Sequence, residues 1–564
     1  MVVNSEHPFP AVDPLSERIL VCVGWPYANY FLHVGQAAGA YLPADIFARY
    51  HRLKGNDVLM VSGSDSHGTP ITVTADKEGI APRDVVDRYH PKILEVWDRL
   101  GIGFDLFTTT LTENHYAVVQ DFFERLLEKG FLYTDFQDQF YDPKAEQFLP
   151  DRYVEGTCPK CGFKDARGDQ CDNCGSTLDA VELIDPRSKL SGARPVVRQS
   201  EHFLLKLTAF EERLKAWVSA QPHWRKNVQN FTLGWLNEGL KDRAITRDIS
   251  WGVPVPVEGW EAKRIYVWFD AVIGYLSATK EWATASGHPD AWKGYWQDPA
   301  VRSYYFIGKD NIPFHTIVWP AMLMAYEGLN LPYDVPANQY VNFAAGQKQS
   351  KSKGTGTWVL DLLDTYAPDV VRFYLTQIMP ETSDSEFRED DLMRANNEVL
   401  IATWGNLANR VISMINRNFD GVVPETGPLA PESGAILDAA QAAFAAVGDE
   451  IAACHFRAAL QEALHLAHAA NRYLDERAPW KAVKTDRAHA AETLATAVNV
   501  INALKTLLNP ILPFSTAQLH ADMGLPGTLQ DGGWDYHPVA AGTKLGEARP
   551  LYAKIDIEPA GVPA

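Results

Sequence analysis

From Arg18 the chain reads RILVCVGWPY, an almost unbroken apolar run with β-branched residues, the pattern of a strand buried on both faces of a parallel sheet. The following ANYFLHVGQAAGAYLPADIFARYHRLKG places apolar and small residues at helical spacing, and a second buried run, VLMVSG, ends in SDSHGTP. Strand, helix, strand opens a doubly wound α/β fold, whose ligands lie at the carboxyl ends of the strands. Between about residues 131 and 240 the alternation is interrupted by a segment rich in Asp, Gly and Pro, and it resumes at RIYVWFDAVIGYL and SYYFIGKD. The sheet is therefore expected to be split by an insertion. Residues 346–356, GQKQSKSKGTG, carry little apolar content and predict a mobile loop. Beyond about Asp391 the chain turns Ala- and Leu-rich at helical spacing, which predicts an all-α bundle whose last helix ends at LLNPILPF. Strand-like pattern returns only in the final PLYAKIDIE, expected to pack back on the body.

Composition narrows the function. A chain of 564 residues holds roughly four units at about 150 residues each, too many for a small binding module. Lys plus Arg number 52 against 71 Asp plus Glu, a net charge of −19, which excludes a protein that coats nucleic acid through bulk positive charge. Any nucleic-acid contact must be local and shaped. The N-terminal MVVNSEHPFPAVDPLSER lacks an apolar core, and no later stretch approaches 18 apolar residues in a row, so a cytoplasmic protein without a membrane span is expected. Of six cysteines, Cys22 and Cys454 sit in apolar settings as small buried thiols. The other four follow the spacing Cys158-x2-Cys161-x9-Cys171-x2-Cys174. Two such turns grip opposite edges of a tetrahedral Zn²⁺, and four protein ligands close the site, so the metal is expected to be structural; a disulfide pair is the alternative that a reducing compartment disfavours.

Two further patterns suit phosphate chemistry. His33-Val34-Gly35-Gln36 stands at a helix start after a buried strand, where unpaired N–H groups and a helix dipole attract anions; Gly35 permits close approach, and His33 can donate to a phosphate oxygen. Lys348-Gln349-Ser350-Lys351-Ser352-Lys353-Gly354 sets three lysines on a loop able to fold over a triphosphate. Each alone is weak, the first against a chance helix start and the second against a solvated basic loop.

Together, in this order, they resemble the two signature motifs of class I aminoacyl-tRNA synthetases. WPYAN, GSDSHGTPI, FLPDRYVEGTCPKCG, ELIDPRSKLSGARPVVRQSEHFLLKL, YVWFDAVIGY and FIGKDNIPFH, in matching order, narrow the resemblance to the methionyl-tRNA synthetases. The resemblance implies a Rossmann-type catalytic domain in two halves (1–130 and 246–345) and a connective, zinc-binding insertion at 131–245. It further implies a lysine-loop linker at 346–395, a helical anticodon-binding domain at 396–545 and a tail at 546–564. It implies that ATP, with Mg²⁺, activates methionine, and that methionyl then passes to the terminal adenosine of tRNA(Met), initiator and elongator, read through its CAU anticodon. His33, Gln36, Lys348 and Lys351 would act on the phosphates. Gly35, Arg247, Gly308, Asp310 and again Lys351 would bind ATP. Trp25, Tyr27, Asp65, Trp268, Ala271, Tyr275 and His315 would line the amino-acid pocket, with Asp65 on the ammonium and Tyr275 and His315 near sulfur. Asn406, Arg410 and Trp480 would meet the anticodon. One structural Zn²⁺ per chain and a monomer are expected, and an amino-acid-activating paralogue that serves a non-tRNA acceptor is the alternative. Four positions depart from the family pattern: Trp25 for Leu or Ile, Val272 for Pro, Gln36 for the second signature His and Gln349 for the Met of the lysine loop. Trp25 either narrows the pocket or is accommodated by a shifted backbone.

Overall fold

The structure is a computed structural model that describes residues 2–3, 16–168, 171, 173–174, 176, 178–343, 347–348 and 357–556. The run Arg18–Val23 is an inner strand of a six-stranded sheet in the order Val2–Val3, Leu106–Thr109, Asp57–Ser64, Arg18–Val23, Arg302–Gly308, Ala337–Asn338. Every pairing is parallel except that of Val2–Val3. The chain builds outward from Arg18–Val23 on one side and returns on the other with Arg302–Gly308. That reversal opens a crevice at the carboxyl ends, beside Val23, Gly24 and Gly308.

The first crossover helix starts later than its apolar spacing suggests, because His33 is its N-cap and residues 28–30 before it turn and bend. It runs through residues 34–53 in three consecutive pieces: Val34–Gln36, a π-helical turn Ala37–Tyr41, and Leu42–Leu53. The run YVWFDAVIGYL, which follows the short strand Arg264–Ile265, is helical, within Val267–Ala285. It is apolar on nearly every side because both the sheet and neighbouring helices cover it, and such a run has no period by which to separate helix from strand.

Between the two halves of the sheet lies a long antiparallel ribbon, Leu132–Asp142 against Val196–Leu205. A small sheet of Ala166–Arg167, Val154–Thr157 and Ile184–Ser188 sits between its strands and carries the turns that bear the cysteines. The C-terminal part consists of helices, among them Asn406–Asn418, Pro431–Ala452, Phe456–Arg477 and Arg487–Leu508. LLNPILPF does not end the helical part, since Pro513, at a first-turn position that needs no N–H, opens a further helix, Pro513–Asp522. PLYAKIDIE packs back as expected but not as a strand. Among the described residues, up to Asp556, no strand edge pairs with it, and the amides of Asn396 and Asn397 bond its backbone at Ala553 and Ile555 instead. No helix among the described residues is long and apolar enough to cross a membrane.

Two cores result. The insertion side of the sheet, helix Val267–Ala285 and the aromatic cluster around Trp296 and Trp319 share one. The opposite face is covered by the crossover helix, and that helix shares a continuous core with the C-terminal helices, from Phe47 through Ile451 to Leu504. Tyr50 meets Trp534 edge-on at 4.9 Å, and Phe306 of the sheet faces Phe456 at 6.3 Å.

Arg372 pins this junction. It is fully buried and bonds Asp45 at 2.7 Å, Leu100 O at 3.1 Å, Pro510 O at 2.8 Å and Ile511 O at 2.8 Å. Asp45 also pairs with Arg49 at 2.8 Å, so removing Arg372 chiefly strands the buried carbonyls of Leu100, Pro510 and Ile511 without their donor. Arg372→Leu is expected to lower the unfolding free energy by about 3–5 kcal/mol, read from the urea midpoint.

Candidate active site

His33 and Gln36 close on one another before any ligand arrives. The Gln36 N–H donates to His33 Nδ1 (3.3 Å) and the His33 N–H to Gln36 Oε1 (3.1 Å), a reciprocal capping box that fixes the helix start. With Nδ1 accepting, the neutral imidazole carries its proton on Nε2, and the Gln36 amide retains its NH₂ donors. Gln36 thus fills a second role that the sequence reading, which gave it only phosphate contact, did not foresee.

Both roots of the lysine loop reach this helix start. Upstream, Gln347–Lys348 pairs antiparallel with Val341–Phe343, and Val341 O lies 3.6 Å from where a Cβ on Gly35 would stand. Downstream, Thr357 O accepts the Val34 N–H (3.1 Å), the Val359 N–H donates to Leu32 O (2.9 Å), and the Trp358 ring lies 6.4 Å from that of His33. Lys348 is therefore placed by its backbone, while Gln349 and Lys351, with the expected mobile stretch around them, lie outside the described residues.

Across the crevice, Asp65 is held by its backbone: its N–H donates to Pro26 O (2.8 Å), its carbonyl accepts from Ala28 (3.0 Å), and Tyr27 bridges to it. Its carboxylate accepts the His67 N–H at 3.1 Å. Burial, then the neighbouring Asp270, push the Asp65 carboxyl well above the usual range, so an incoming cation would have to displace its proton. Asp270 is itself buried and bonded to His67 Nδ1 at 2.9 Å. Arg152 stands 6.0 Å from the Tyr27 ring and draws the Asp65 carboxyl back down. None of His67, Asp270 and Arg152 was singled out from the sequence. The signal for Asp270 was present, an acid inside the apolar run YVWFDAVIGYL.

Tyr275 and His315 meet each other. His315 Nδ1–H donates to Asn311 O (2.9 Å), so its bare Nε2 accepts the Tyr275 hydroxyl at 2.7 Å. Burial lowers the His315 pKa to about 4, and the pair is neutral at physiological pH, suited to an uncharged thioether. Trp268 packs on Phe314 with centroids 3.5 Å apart, and Ala271, one turn before Tyr275 on the same helix, is half-buried. Trp25 lies against two glycines: a Cβ on Gly63 would fall 2.4 Å from its ring, and one on Gly274 2.8 Å from it. The indole occupies a slot those glycines leave, and its N–H has no hydrogen-bond partner among the described residues. Val272, the other pocket departure, is buried. Gly308 ends its strand at the sheet reversal, and Asp310 follows on the surface, bonded to the Tyr340 hydroxyl. Arg247 stacks on Tyr266 at 3.7 Å and donates to Ala244 O and Thr246 O.

Known proteins resemble this chain in sequence and fold. A family model described as tRNA synthetases class I (M) matches residues 19–412, and one described as the anticodon binding domain of methionyl tRNA ligase matches residues 423–559. A methionine--tRNA ligase of Thermomicrobium roseum is 52% identical over 96% of this chain and 97% of its own length. One of Dehalococcoides mccartyi (strain BAV1) is 52% identical over 96% and 98%. The solved Mycobacterium tuberculosis methionyl-tRNA synthetase in complex with methionyl-adenylate superposes with a TM-score of 0.78 at 25% identity, covering 95% of this chain and 99% of that one. The chain belongs to the class I methionyl-tRNA synthetases.

The synthetase's four clustered cysteines are not bonded in pairs. Cys158 and Cys174 sulfurs stand 3.9 Å apart, and those of Cys161 and Cys171 3.5 Å, with all four within 4.8 Å of one another. A disulfide would need about 2.05 Å. Zn–S bonds of about 2.3 Å at tetrahedral angles put sulfurs about 3.8 Å apart, so the four fit one such ion.

At the far end of the helical part, Arg410 Cζ lies 5.4 Å from the Trp480 ring and its guanidinium reaches Asp475 at 3.4 Å. Trp480 is 40% exposed. Asn406, one turn before Arg410 on helix Asn406–Asn418, faces solvent. Helix Phe456–Arg477 ends just before this point and Pro479 opens a further helix, Pro479–Thr485; Ala478 in the left-handed region (φ 44°) makes the turn.

Proposed function

We propose that this synthetase activates methionine with ATP and transfers it to the 3′-terminal adenosine of tRNA(Met). The observation that carries the reading is the convergence of the capped signature helix, both roots of the lysine loop and the Asp65, Tyr275 and His315 side of the pocket on one sheet reversal. The methionine carboxylate attacks the α-phosphorus of ATP, a new O–P bond forms, and the bond to the bridging oxygen breaks as pyrophosphate leaves. The 2′-hydroxyl of the tRNA then attacks the carbonyl carbon, and AMP departs. Catalysis of this kind is mostly positioning and charge stabilisation. His33 Nε2–H and the Gln36 amide donate to the phosphates, Lys348 and Lys351 neutralise the leaving pyrophosphate, and Gly35 lets the nucleotide approach the backbone. Gly308 and Asp310 receive the ribose, and Arg247 steers the triphosphate. Asp65 pairs with the substrate ammonium, while Tyr27, Trp25, Trp268 and Ala271 wall the side chain. Mg²⁺ accompanies ATP. Amino-acid-dependent exchange of pyrophosphate into ATP, run with all twenty amino acids, is expected to proceed with methionine; exchange with another amino acid and not with methionine would falsify the assignment.

Cys158, Cys161, Cys171 and Cys174 hold one structural Zn²⁺, which when bound cross-links the two turns of the insertion. Metal analysis is expected to give one zinc per chain, falling close to zero in Cys158→Ser. Asn406, Arg410 and Trp480 read the CAU anticodon by stacking and edge hydrogen bonds. The reading carries with it a cytoplasmic monomer that serves initiator and elongator tRNA alike, to be checked by sedimentation and by charging both transcripts.

A further inference from the structure

Beside the amino-acid pocket, three separate elements bring metal-ligating side chains together in the interior. His67 follows the strand Asp57–Ser64, His115 stands in the first turn of helix Glu113–Glu128, and Asp270 lies on helix Val267–Ala285. None of the three is more than 1% exposed. One ring nitrogen of each histidine and one carboxylate oxygen of Asp270 all lie within 4.8 Å of one another.

The hydrogen bonds around the cluster decide which atoms stay open. The Ser277 hydroxyl donates to Gly274 O (3.0 Å), so its oxygen accepts His115 Nδ1–H at 2.8 Å, and His115 Nε2 is left as a bare lone pair. That Nε2 is buried with no hydrogen-bond partner among the described residues, and so is Asp270 Oδ1. Asp270 Oδ2 lies 2.9 Å from His67 Nδ1, and His67 Nε2 lies 3.2 Å from the hydroxyl of the part-buried Tyr116. Two buried acceptors left open in one cluster call for a donor or a cation between them. Two neutral imidazoles and a carboxylate are a donor set for a borderline divalent cation, and Ser277 and Asp270 Oδ2 supply the outer contacts that orient such histidines. Bonds of about 2.0–2.1 Å at tetrahedral angles put ligands about 3.3–3.4 Å apart, so the three need close by no more than about 1.5 Å.

We infer that His67, His115 and Asp270 form a metal site distinct from the four cysteines, for a divalent cation of the Zn²⁺ class, and that its occupation weakens methionine binding. The first half stands on the cluster alone. The second rests on the placement of the substrate ammonium at Asp65 given above. Asp65 accepts the His67 backbone N–H at 3.1 Å and has Asp270 as its charged neighbour. Two positive charges set against the single carboxylate of Asp270 leave a net positive centre there, which opposes a second cation arriving next to it.

Equilibrium dialysis of the full chain against Zn²⁺, followed by metal analysis, tests the site without any activity measurement. The unaltered chain is expected to hold one zinc more than His115→Asn, whose amide still serves Ser277 but lacks the Nε2 ligand. Asp270→Asn is expected to lose the same equivalent, so a folding defect in one variant does not decide the result. Co²⁺ added to the unaltered, zinc-loaded chain should show the weak bands of nitrogen and oxygen ligation without thiolate charge transfer. Equal zinc counts in all three proteins, or a thiolate spectrum for the added Co²⁺, would overturn the site. In pyrophosphate exchange, the extra zinc should raise KM for methionine about tenfold with kcat within twofold, and His115→Asn should abolish the rise. Linkage is reciprocal, so saturating methionine should weaken binding of that zinc by the same factor. An extra zinc that leaves KM unmoved would overturn the effect on methionine, and exchange by the zinc-free unaltered site tests the underlying methionine reading separately.

Discussion

His33→Ala is expected to lower methionine-dependent pyrophosphate exchange on the order of 10²–10³-fold, the loss seen when one preorganised donor to a developing negative charge is removed. Alanine, however, removes two things at once, the Nε2–H donor and the Nδ1 acceptor that caps the Gln36 N–H. His33→Asn separates them. Asparagine is among the best N-capping residues and keeps the helix start, but its side chain lacks the Nε2–H donor of the imidazole. If the donor matters, the Asn and Ala variants lose activity alike and Asn melts close to the unaltered protein. If the cap matters, Asn recovers most of the rate, and the assignment of His33 to the phosphates fails.

Trp480→Ala is expected to leave exchange within twofold and to weaken tRNA charging. Stacking of an unpaired base on an aromatic ring is worth about 1–3 kcal/mol, so kcat/KM for tRNA should fall about 5- to 150-fold. Trp480→Phe, which keeps a ring, should recover much of the loss. The ring also shelves Arg410, whose guanidinium sits over it and against Asp475. Trp480→Ala and Arg410→Ala should therefore be strongly non-additive, and a transcript with an altered anticodon should be charged equally poorly by the unaltered chain and the alanine variant.

How much of this was readable in the chain depends on sequence distance. The strands Arg18–Val23 and Asp57–Ser64 are buried on both faces and announce themselves as apolar runs. The cysteine cluster was equally plain, because its four ligands are local and their spacing encodes the geometry. Helix Val267–Ala285 was not, since uniform burial erases the period that separates a helix from a strand. His67 and Asp270 are 203 residues apart and meet only through the closed fold, as do Arg225 and Cys454 at 229. Trp25 lies against Gly63 and Gly274, two residues whose contribution is the absence of a side chain. Neither glycine is informative until the indole is seen against it.

The core shared by the crossover helix and the C-terminal helices also has a consequence in time. Residues 34–53 leave the ribosome early, yet Leu504, Leu507 and Leu508 in the same core emerge more than four hundred residues later. At about 5–20 residues per second, the apolar face of that helix waits roughly 20–90 s for its cover. Throughout that wait the helix start at His33 is attached to an unburied flank, so its setting is completed only when the C-terminal helices have been made.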